Sequence, residues 1–192
     1  MLHILLTGRC TIHNDTHEEL SFTADHLLAL TSDKSIHANV QESARIVAVS
    51  VPQDPSMSPS PLFLKSLSEV INSDRNVSFE QGSSRRFLAA PDGYNISVHN
   101  TFVQARLNVH LHYPHNFEAN YIFDGQGEYI WENGKQQQEF DSEKHHGTMV
   151  LVEHDAHEVK FGANGTTAIC VFFPPLKGTE RLKVNPGSGS SY

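Results

Sequence analysis

A strict alternation of polar and apolar residues over positions 106–113 is the feature that most constrains how this chain folds. Its apolar members are Leu107, Val109, Leu111 and Tyr113, and its polar members are Arg106, Asn108, His110 and His112. Successive side chains of a β-strand point to opposite faces, so the segment predicts a strand with one apolar and one polar face. Such strands favour a small barrel that encloses a polar pocket.

The rest of the chain supports the same all-β class. Short apolar segments end at turn sequences such as 91–93 (Pro-Asp-Gly) and 133–134 (Asn-Gly), and no helical period persists through them. One exception lies at residues 64–71, where leucine, valine and isoleucine recur at helical spacing. We therefore expect a β fold with one short linking helix.

Proline content and internal similarity suggest three regions. Residues 52–61 hold four prolines, which the interior of a sheet does not accept. We therefore divide the chain into a partial β segment (1–52), a proline-rich linker with a short helix (53–75) and a main β domain (76–192). Within the first segment, ILLTGRCTI is similar to YIFDGQGEYI and RIVAVSVP is similar to TAICVFFPP. This similarity predicts that the N-terminal segment is a half-repeat of the main fold.

Composition excludes several classes of partner. The chain carries 22 acidic and 14 basic residues, a formal charge of −8, and no basic stripe, so we expect neither nucleic acid nor a membrane as a partner. Cys10 and Cys170 are far apart and lack CxxC spacing, which fits a reducing compartment. With no secretion signal and no long apolar run, the sequence predicts a soluble, cytoplasmic protein.

Residues 110–128, HLHYPHNFEANYIFDGQGE, concentrate side chains that bind metals. His110, His112, His115 and Glu118 lie within nine positions, and His157 ends the later segment GTMVLVEHDAH. Imidazole and carboxylate groups that converge from separate strands suit a divalent metal. The alternative interpretation is a histidine-rich strand that faces solvent.

Four segments in this region resemble a known family. The spacing of His112, Glu118 and Gly125, followed by Gly147 and His157, resembles the two cupin motifs. The segments SRRFLAAPDG, HYPHNFEANYIFDGQGE, GTMVLVEHDAH and CVFFPPLKGTE, between about residues 84 and 180, further resemble the ectoine synthases. The resemblance implies an all-β cupin jelly-roll barrel, preceded here by a partial cupin-like half-repeat. It also allows a homodimer, although no sequence feature requires one.

The resemblance implies a metal site that departs from the family at one position. The family holds a metal, typically iron, through a glutamate, a tyrosine and a histidine, and the first and last of these match Glu118 and His157. The tyrosine position carries Val150, which has no ligand atom. His112 or His110 is the expected substitute, and the expected cofactor is a divalent metal, with Fe(II) favoured.

Substrate positions follow from the same resemblance. The expected substrate-binding residues are Ser84, Arg86, Thr101, Tyr113, Cys170 and Phe172. The candidates for proton transfer are Tyr113, His115, Asp155 and Glu180, and the sequence does not assign roles among them. Gly82 replaces a family tryptophan, Asn116 a histidine and Leu182 another histidine.

The implied activity is that of a hydro-lyase with a small-molecule substrate. The α-amine of N-γ-acetyl-L-2,4-diaminobutyrate attacks its own acetamide carbonyl, and ectoine forms as water is lost. Because of the departures at positions 82, 150 and 182, two alternatives stay open: a cupin metalloenzyme with another small substrate (a lyase, isomerase or dioxygenase), and a non-catalytic cupin that binds a metabolite.

Overall fold

The computed structural model describes residues 2–13, 19–31, 35–52, 54–56, 58–59, 62–180, 183–185 and 189–191. Regular structure in these residues is almost entirely β, with one short α-helix. The strands before the helix are β1 (Leu2–Thr7), β2 (Arg9–His13), β3 (Glu19–Thr23), β4 (His26–Leu30), β5 (His37–Val40), β6 (Arg45–Val49) and β7 (Leu62–Ser66). The helix, α1, spans Leu67–Ile71.

Twelve further strands follow the helix in the described residues. They are β8 (Asn76–Phe79), β9 (Gly82–Leu88), β10 (Ser97–Val103), β11 (Asn108–Leu111), β12 (Phe117–Asp124), β13 (Gln126–Trp131), β14 (Gln136–Asp141), β15 (Thr148–Glu153), β16 (His157–Phe161), β17 (Thr166–Phe173), β18 (Lys183–Asn185) and β19 (Gly189–Ser191). Short 3₁₀ turns cover Ala90–Asp92 and Glu132–Gly134.

Two six-stranded sheets form the main barrel. Their strand orders are β15-β12-β17-β10-β9-β8 and β14-β13-β16-β11-β19-β18, and antiparallel pairing dominates. Alternation along each strand sorts side chains between the interior and the outside. On β15, for example, Val150 is buried while Met149 and Leu151 are exposed.

The N-terminal region forms two smaller sheets, β6-β1-β4-β7 and β3-β2-β5. After His26, strand β4 is a continuous apolar run, LLAL, whose side chains are buried on both faces of the strand. One face, with Leu27 and Ala29, packs on the outside of the main barrel against Phe87, Val98 and Ile169. The other face, with Leu28 and Leu30, packs on Cys10, Ile12 and Phe22.

The linking helix is shorter than the sequence pattern suggests. Leu64 lies in β7, where it pairs with Leu28 of β4, so strand pairing overrides the helical spacing at this position. The helix begins only after Ser66, whose hydroxyl accepts a hydrogen bond from the Glu69 backbone N–H, while the Glu69 carboxylate accepts one from the Ser66 N–H. This capping box sets the start of α1. In the described part of the chain, no helix is long and apolar enough to cross a membrane.

Candidate metal centre and substrate cavity

Glu118 and His157 meet inside the main barrel. Glu118 lies on β12 with its side chain inward, and His157 is the first residue of β16 in the facing sheet. Both residues are 4% exposed, and Glu118 Oε2 lies 3.8 Å from His157 Nε2. Neither atom has a hydrogen-bond partner, although both are fully buried. A buried polar atom without a partner is costly, so this pair marks a place where a ligand is needed.

The backbone fixes which nitrogen of His157 is available. His157 Nδ1 lies 3.0 Å from the carbonyl oxygen of Asp155. A carbonyl only accepts, so Nδ1 carries the hydrogen and the lone pair of the neutral ring is on Nε2, beside Glu118. A histidine oriented by a backbone carbonyl through its far nitrogen is the usual arrangement for a metal ligand.

Burial dominates the electrostatics of the pair. It raises the pKa of Glu118 to about 7, an effect that the Asn120 amide partly offsets. Burial also lowers the pKa of His157. The pKa of Tyr129 is raised well above its ordinary value, mainly by burial and then by the negative charge of Glu118. A bound cation would favour the ionised carboxylate and the neutral imidazole together.

The Glu118 carboxylate faces a partly open cavity of ≈ 70 Å³, which is large enough for water or part of a small ligand. Most of its wall is apolar. The polar groups and aromatic rings that line it include Thr101, Tyr113, Glu118, Asn120, Tyr129, Cys170 and Phe172. An apolar cavity with a few polar groups is typical of a small-molecule site. Burial raises the pKa of the Cys170 thiol, so this group is neutral.

A second polar cluster lies on the neighbouring strands β9 and β10. Arg86 is 1% exposed, donates a hydrogen bond to the backbone carbonyl of Glu180 and forms an ion pair with its carboxylate at 3.7 Å. That carboxylate also accepts hydrogen bonds from the backbone N–H groups of Lys177 and Gly178. Cross-strand pairing places His99 beside both Arg86 and Cys170. The cluster therefore adjoins the wall of the cavity.

His99 is held as a neutral side chain in this cluster. Its Nδ1 lies 3.1 Å from the Ser84 hydroxyl, and its ring packs 5.2 Å from that of Phe172. Burial, followed by the charge of Arg86, lowers the pKa of His99 to about 3. Its Nε2 atom is buried without a hydrogen-bond partner. A neutral imidazole with one unbonded nitrogen is therefore available to a ligand.

The structure brings many of the predicted site residues together. Thr101, Tyr113, Glu118, Cys170 and Phe172 line one cavity. Ser84, Arg86 and Glu180 form the adjoining polar cluster with His99. Their individual roles stay predictions, because proximity does not assign chemistry.

Other predicted residues do not line the cavity that Glu118 faces. His110 is exposed, and His112 places its Nε2 3.1 Å from the carbonyl of His154. These two histidines do not line the cavity, because β11 turns its apolar face, Val109 and Leu111, toward the interior. His115 is exposed, and so is the side chain of Asp155, whose backbone carbonyl alone contacts His157. Leu182 lies outside the described residues.

Two residues at this centre were not predicted from the sequence. Alternation along β10 puts His99 on the same face as Ser97 and Thr101, which is a usable signal. Tyr129 is the buried residue of β13, and its ring is nearly parallel to that of His157, at 5.8 Å and 20°. Nothing in the sequence indicates that β13 lies beside β16, so this contact required the structure.

Glu118 and His157 supply two donor atoms that fit a metal ion. The unbonded carboxylate oxygen and imidazole nitrogen are both hard or borderline donors of the kind that hold first-row divalent metals. No group of three or more histidine, cysteine, aspartate or glutamate side chains suited to a metal occurs among the described residues. A third protein ligand, if one is used, has to come from another type of side chain.

The antiparallel barrel with an acid–histidine pair inside it defines the protein class as a cupin. A putative glyoxylate-induced protein from Pseudomonas aeruginosa shares the fold over 96% of this chain and 68% of its own, with a TM-score of 0.69 at 10% identity. A Bacillus subtilis oxalate decarboxylase variant covers 91% of this chain and 63% of its own, with a TM-score of 0.62 at 14% identity. These likenesses concern the fold alone, and they confirm the all-β cupin prediction.

Comparison with known sequences identifies the family of this chain within the cupin class. The family model described as ectoine synthase matches residues 62–189. L-ectoine synthase from Sporosarcina pasteurii is 35% identical over 119 residues, which is 62% of this chain and 87% of that protein. The crystal structure of ectoine synthase from P. lautus covers 60% of this chain and 80% of its own, with 27% identity and a TM-score of 0.55. The chain belongs to the ectoine synthase family.

Proposed function

We propose that the protein closes the ring of N-γ-acetyl-L-2,4-diaminobutyrate to give ectoine and water. The observation that carries the proposal is the buried, unbonded Glu118–His157 pair inside the barrel of an ectoine synthase family member. In the reaction the α-amine attacks the acetamide carbonyl carbon, a C–N bond forms and the carbonyl oxygen leaves as water. A cavity inside the barrel suits this chemistry, because its walls can hold the substrate in its folded conformer.

We further propose that Glu118 and His157 hold a divalent metal, with Fe(II) favoured. The support is the pair of unbonded donor atoms and the Asp155 carbonyl that orients the histidine. When bound, such a cation supplies Lewis acidity toward an amide carbonyl, which is otherwise a poor electrophile. Glu118 contributes negative charge to the site and His157 a neutral donor.

Arg86 is the group we assign to the substrate carboxylate. The guanidinium is buried beside the cavity wall and matches a carboxylate in shape. It contacts Glu180 in the structure, so a substrate carboxylate competes with Glu180 for the same group. Thr101 and Phe172 then contact the body of the substrate from the cavity wall.

Tyr113 is the proton-transfer candidate with the best position. Of the four candidates, Tyr113 alone lines the cavity, whereas His115 and Asp155 are exposed and Glu180 contacts Arg86. A neutral phenol donates a proton through its hydroxyl, as departure of the carbonyl oxygen requires. The substrate amine must be deprotonated before it attacks, and solvent at the cavity mouth can receive that proton.

The reaction is tested with the purified full chain, ferrous iron and the acetylated diaminobutyrate under anaerobic conditions. We expect ectoine to accumulate, detected by chromatography against an authentic standard, and we expect omission of iron with added chelator to stop it. Tight iron binding without ectoine would contradict the proposed reaction while leaving the metal site intact.

A second candidate is a cupin metalloenzyme of the same site with another small substrate. It is favoured by Gly82, where a Cβ atom would collide with the backbone carbonyl of Phe102, so this position cannot hold the tryptophan of the family pattern. A panel of other N-acylated diamino acids in the same assay separates the candidates. Turnover of one of them without ectoine formation would favour this second candidate.

The proposal also covers the cellular location and the oligomeric state of the protein. We place the protein in the cytoplasm, because Cys10 and Cys170 are both free and buried, as expected in a reducing compartment. A homodimer stays a prediction, to be tested by the mass of the purified protein in solution.

A further inference from the structure

We propose that Tyr129 supplies the third protein ligand of the metal centre, through its phenol oxygen. The inference rests on the proposed function, because it takes Glu118 and His157 as metal ligands. It assigns to β13 a ligand that the family pattern places at position 150 on β15, where this chain has valine.

Strand register puts Tyr129 next to His157. Tyr129 pairs with Val159 across β13 and β16, and His157 lies two residues from Val159 on the same face. Diagonal neighbours of this kind are within reach of aromatic side chains. Their rings are 5.8 Å apart and inclined by 20°, so both side chains project side by side from one sheet into the barrel.

The phenol of Tyr129 and the carboxylate of Glu118 line the same cavity. Tyr129 is 7% exposed, and it lines the same ≈ 70 Å³ cavity as Glu118, which projects from the opposite sheet. Among the described residues no protein group forms a hydrogen bond with the Tyr129 hydroxyl, and the side chain lines the cavity. A phenolate oxygen is a hard donor that suits iron.

Competing donors are less well placed. Among the described residues, no group of three or more histidine, cysteine, aspartate or glutamate side chains is placed to hold a metal ion. His110 is exposed and His112 contacts a backbone carbonyl. Tyr113 also lines the cavity, but its ring is inclined by 57° to that of His157 and packs edge-on against Phe172.

Position 150 provides an internal control. Val150 is buried on β15, faces inward opposite Asn120, and belongs to the same cluster of buried side chains as Tyr129. Exchanging the two side chains conserves the total volume of this cluster. A tyrosine at position 129 or at position 150 would therefore project toward the centre, each from a different sheet.

The test measures the colour of the iron-bound protein, independently of turnover. The full chain is loaded with one equivalent of Fe(II) without oxygen and then oxidised. A phenolate bound to Fe(III) gives a visible charge-transfer band. We expect the band in the unmodified protein, its loss in Tyr129→Phe, its retention in Tyr113→Phe and its return in the double variant Tyr129→Val, Val150→Tyr.

Iron affinity is measured in parallel by competition with a chelator. We expect Tyr129→Phe to weaken binding by at least about 10-fold, which is what loss of a supporting group near a metal typically costs. Circular dichroism checks that each variant is folded. The double variant should recover affinity as well as colour, which a merely structural role for Tyr129 would not produce.

Four results would overturn the assignment: failure to bind iron, bound iron without a band in the unmodified protein, an unchanged band in Tyr129→Phe, or loss of the band in Tyr113→Phe alone. An ectoine assay on the same samples separates this inference from the proposed function. A Tyr129-dependent band without ectoine contradicts only the function, and ectoine formation without a band contradicts only the inference.

Discussion

The two parts of this protein bury different kinds of side chain behind similar β-sheets. The buried side chains described in the N-terminal part are all apolar, and they are Ile4, Cys10, Ile12, Phe22, Leu27, Leu28, Ala29, Leu30 and Val47. The interior of the main barrel also holds Ser84, Arg86, His99, Glu118 and His157. Apolar burial stabilises a fold without further conditions, whereas buried polar atoms without partners cost free energy. The comparison suggests that stability and chemistry are separated between the two parts.

The contact between the parts fits that separation. The N-terminal sheet covers the outer face of the strands whose inner face forms the site, through Leu27 and Ala29 packed on Val98 and Ile169. It supports β10 and β17 from behind without contributing a residue to the cavity lining. If stability and chemistry are separated in this way, a substitution in one part should leave the property of the other part unchanged.

The largest effect is expected for Glu118→Gln. The substitution keeps the shape of the side chain but removes its negative charge, so the cation loses its charged ligand. We expect iron affinity to fall by more than about 100-fold, since supporting residues alone cost 10- to 100-fold, and ectoine formation to cease. Chelator competition and the anaerobic assay measure the two effects. Unchanged iron binding would show that Glu118 is not a ligand.

The matched change in the N-terminal part is Leu28→Ala. Leu28 is fully buried between the two N-terminal sheets, so truncation leaves a cavity and should cost about 2–5 kcal/mol of unfolding free energy. Denaturant unfolding measures the loss. Iron affinity of the folded variant should be unchanged, and a parallel loss of affinity would contradict the separation of the two parts.

The fold was accessible from sequence because its signals are local. The alternation over 106–113 predicted β11, although the strand spans only Asn108–Leu111, since Arg106 has a positive φ of 58° that interrupts extended structure. The resemblance in turn identified Glu118 and His157, which the structure brings to 3.8 Å. Periodicity gives the two faces of a strand but not which face points inward.

Because local patterns identify neither the inward face of a strand nor its partner strands, several features of the structure were not predicted from the sequence. His110 and His112 were expected at the metal, yet the barrel turns the other face of β11 inward. Tyr129 lies beside His157 through the pairing of β13 with β16, a long-range contact that no local pattern contains. The predicted helix was too long for a related reason, because Leu64 pairs with a distant strand.

A pH effect of intermediate size is expected in the metal-free protein. Burial raises the pKa of Glu118 from its ordinary value of 4.5 to about 7, so the folded state binds a proton more tightly than the unfolded chain. This contribution favours folding at low pH and is lost as the pH rises from about 4.5 to 7, an amount of roughly 3 kcal/mol.

The difference in unfolding free energy between the unmodified protein and Glu118→Gln, measured across that range, isolates the carboxyl group. His157 and His99 have lowered pKa values and act in the opposite direction, stabilising less as the pH falls, but they are common to both proteins. Saturating iron should abolish the difference in slope, because the cation favours the ionised carboxylate. A difference independent of pH would contradict the raised pKa.

The smallest effect is expected at the joint between the parts, in Ser66→Ala. The Ser66 hydroxyl caps α1 by accepting a hydrogen bond from the Glu69 N–H, and the helix packs through Val70 into the cluster that both parts share. Loss of a cap costs about 1 kcal/mol, and Ser66→Thr should retain most of it. Because α1 lies outside the cavity, iron affinity and ectoine formation should not change. A loss of either in the folded variant would mean that the joint transmits strain to the site, and the two parts would then not be independent.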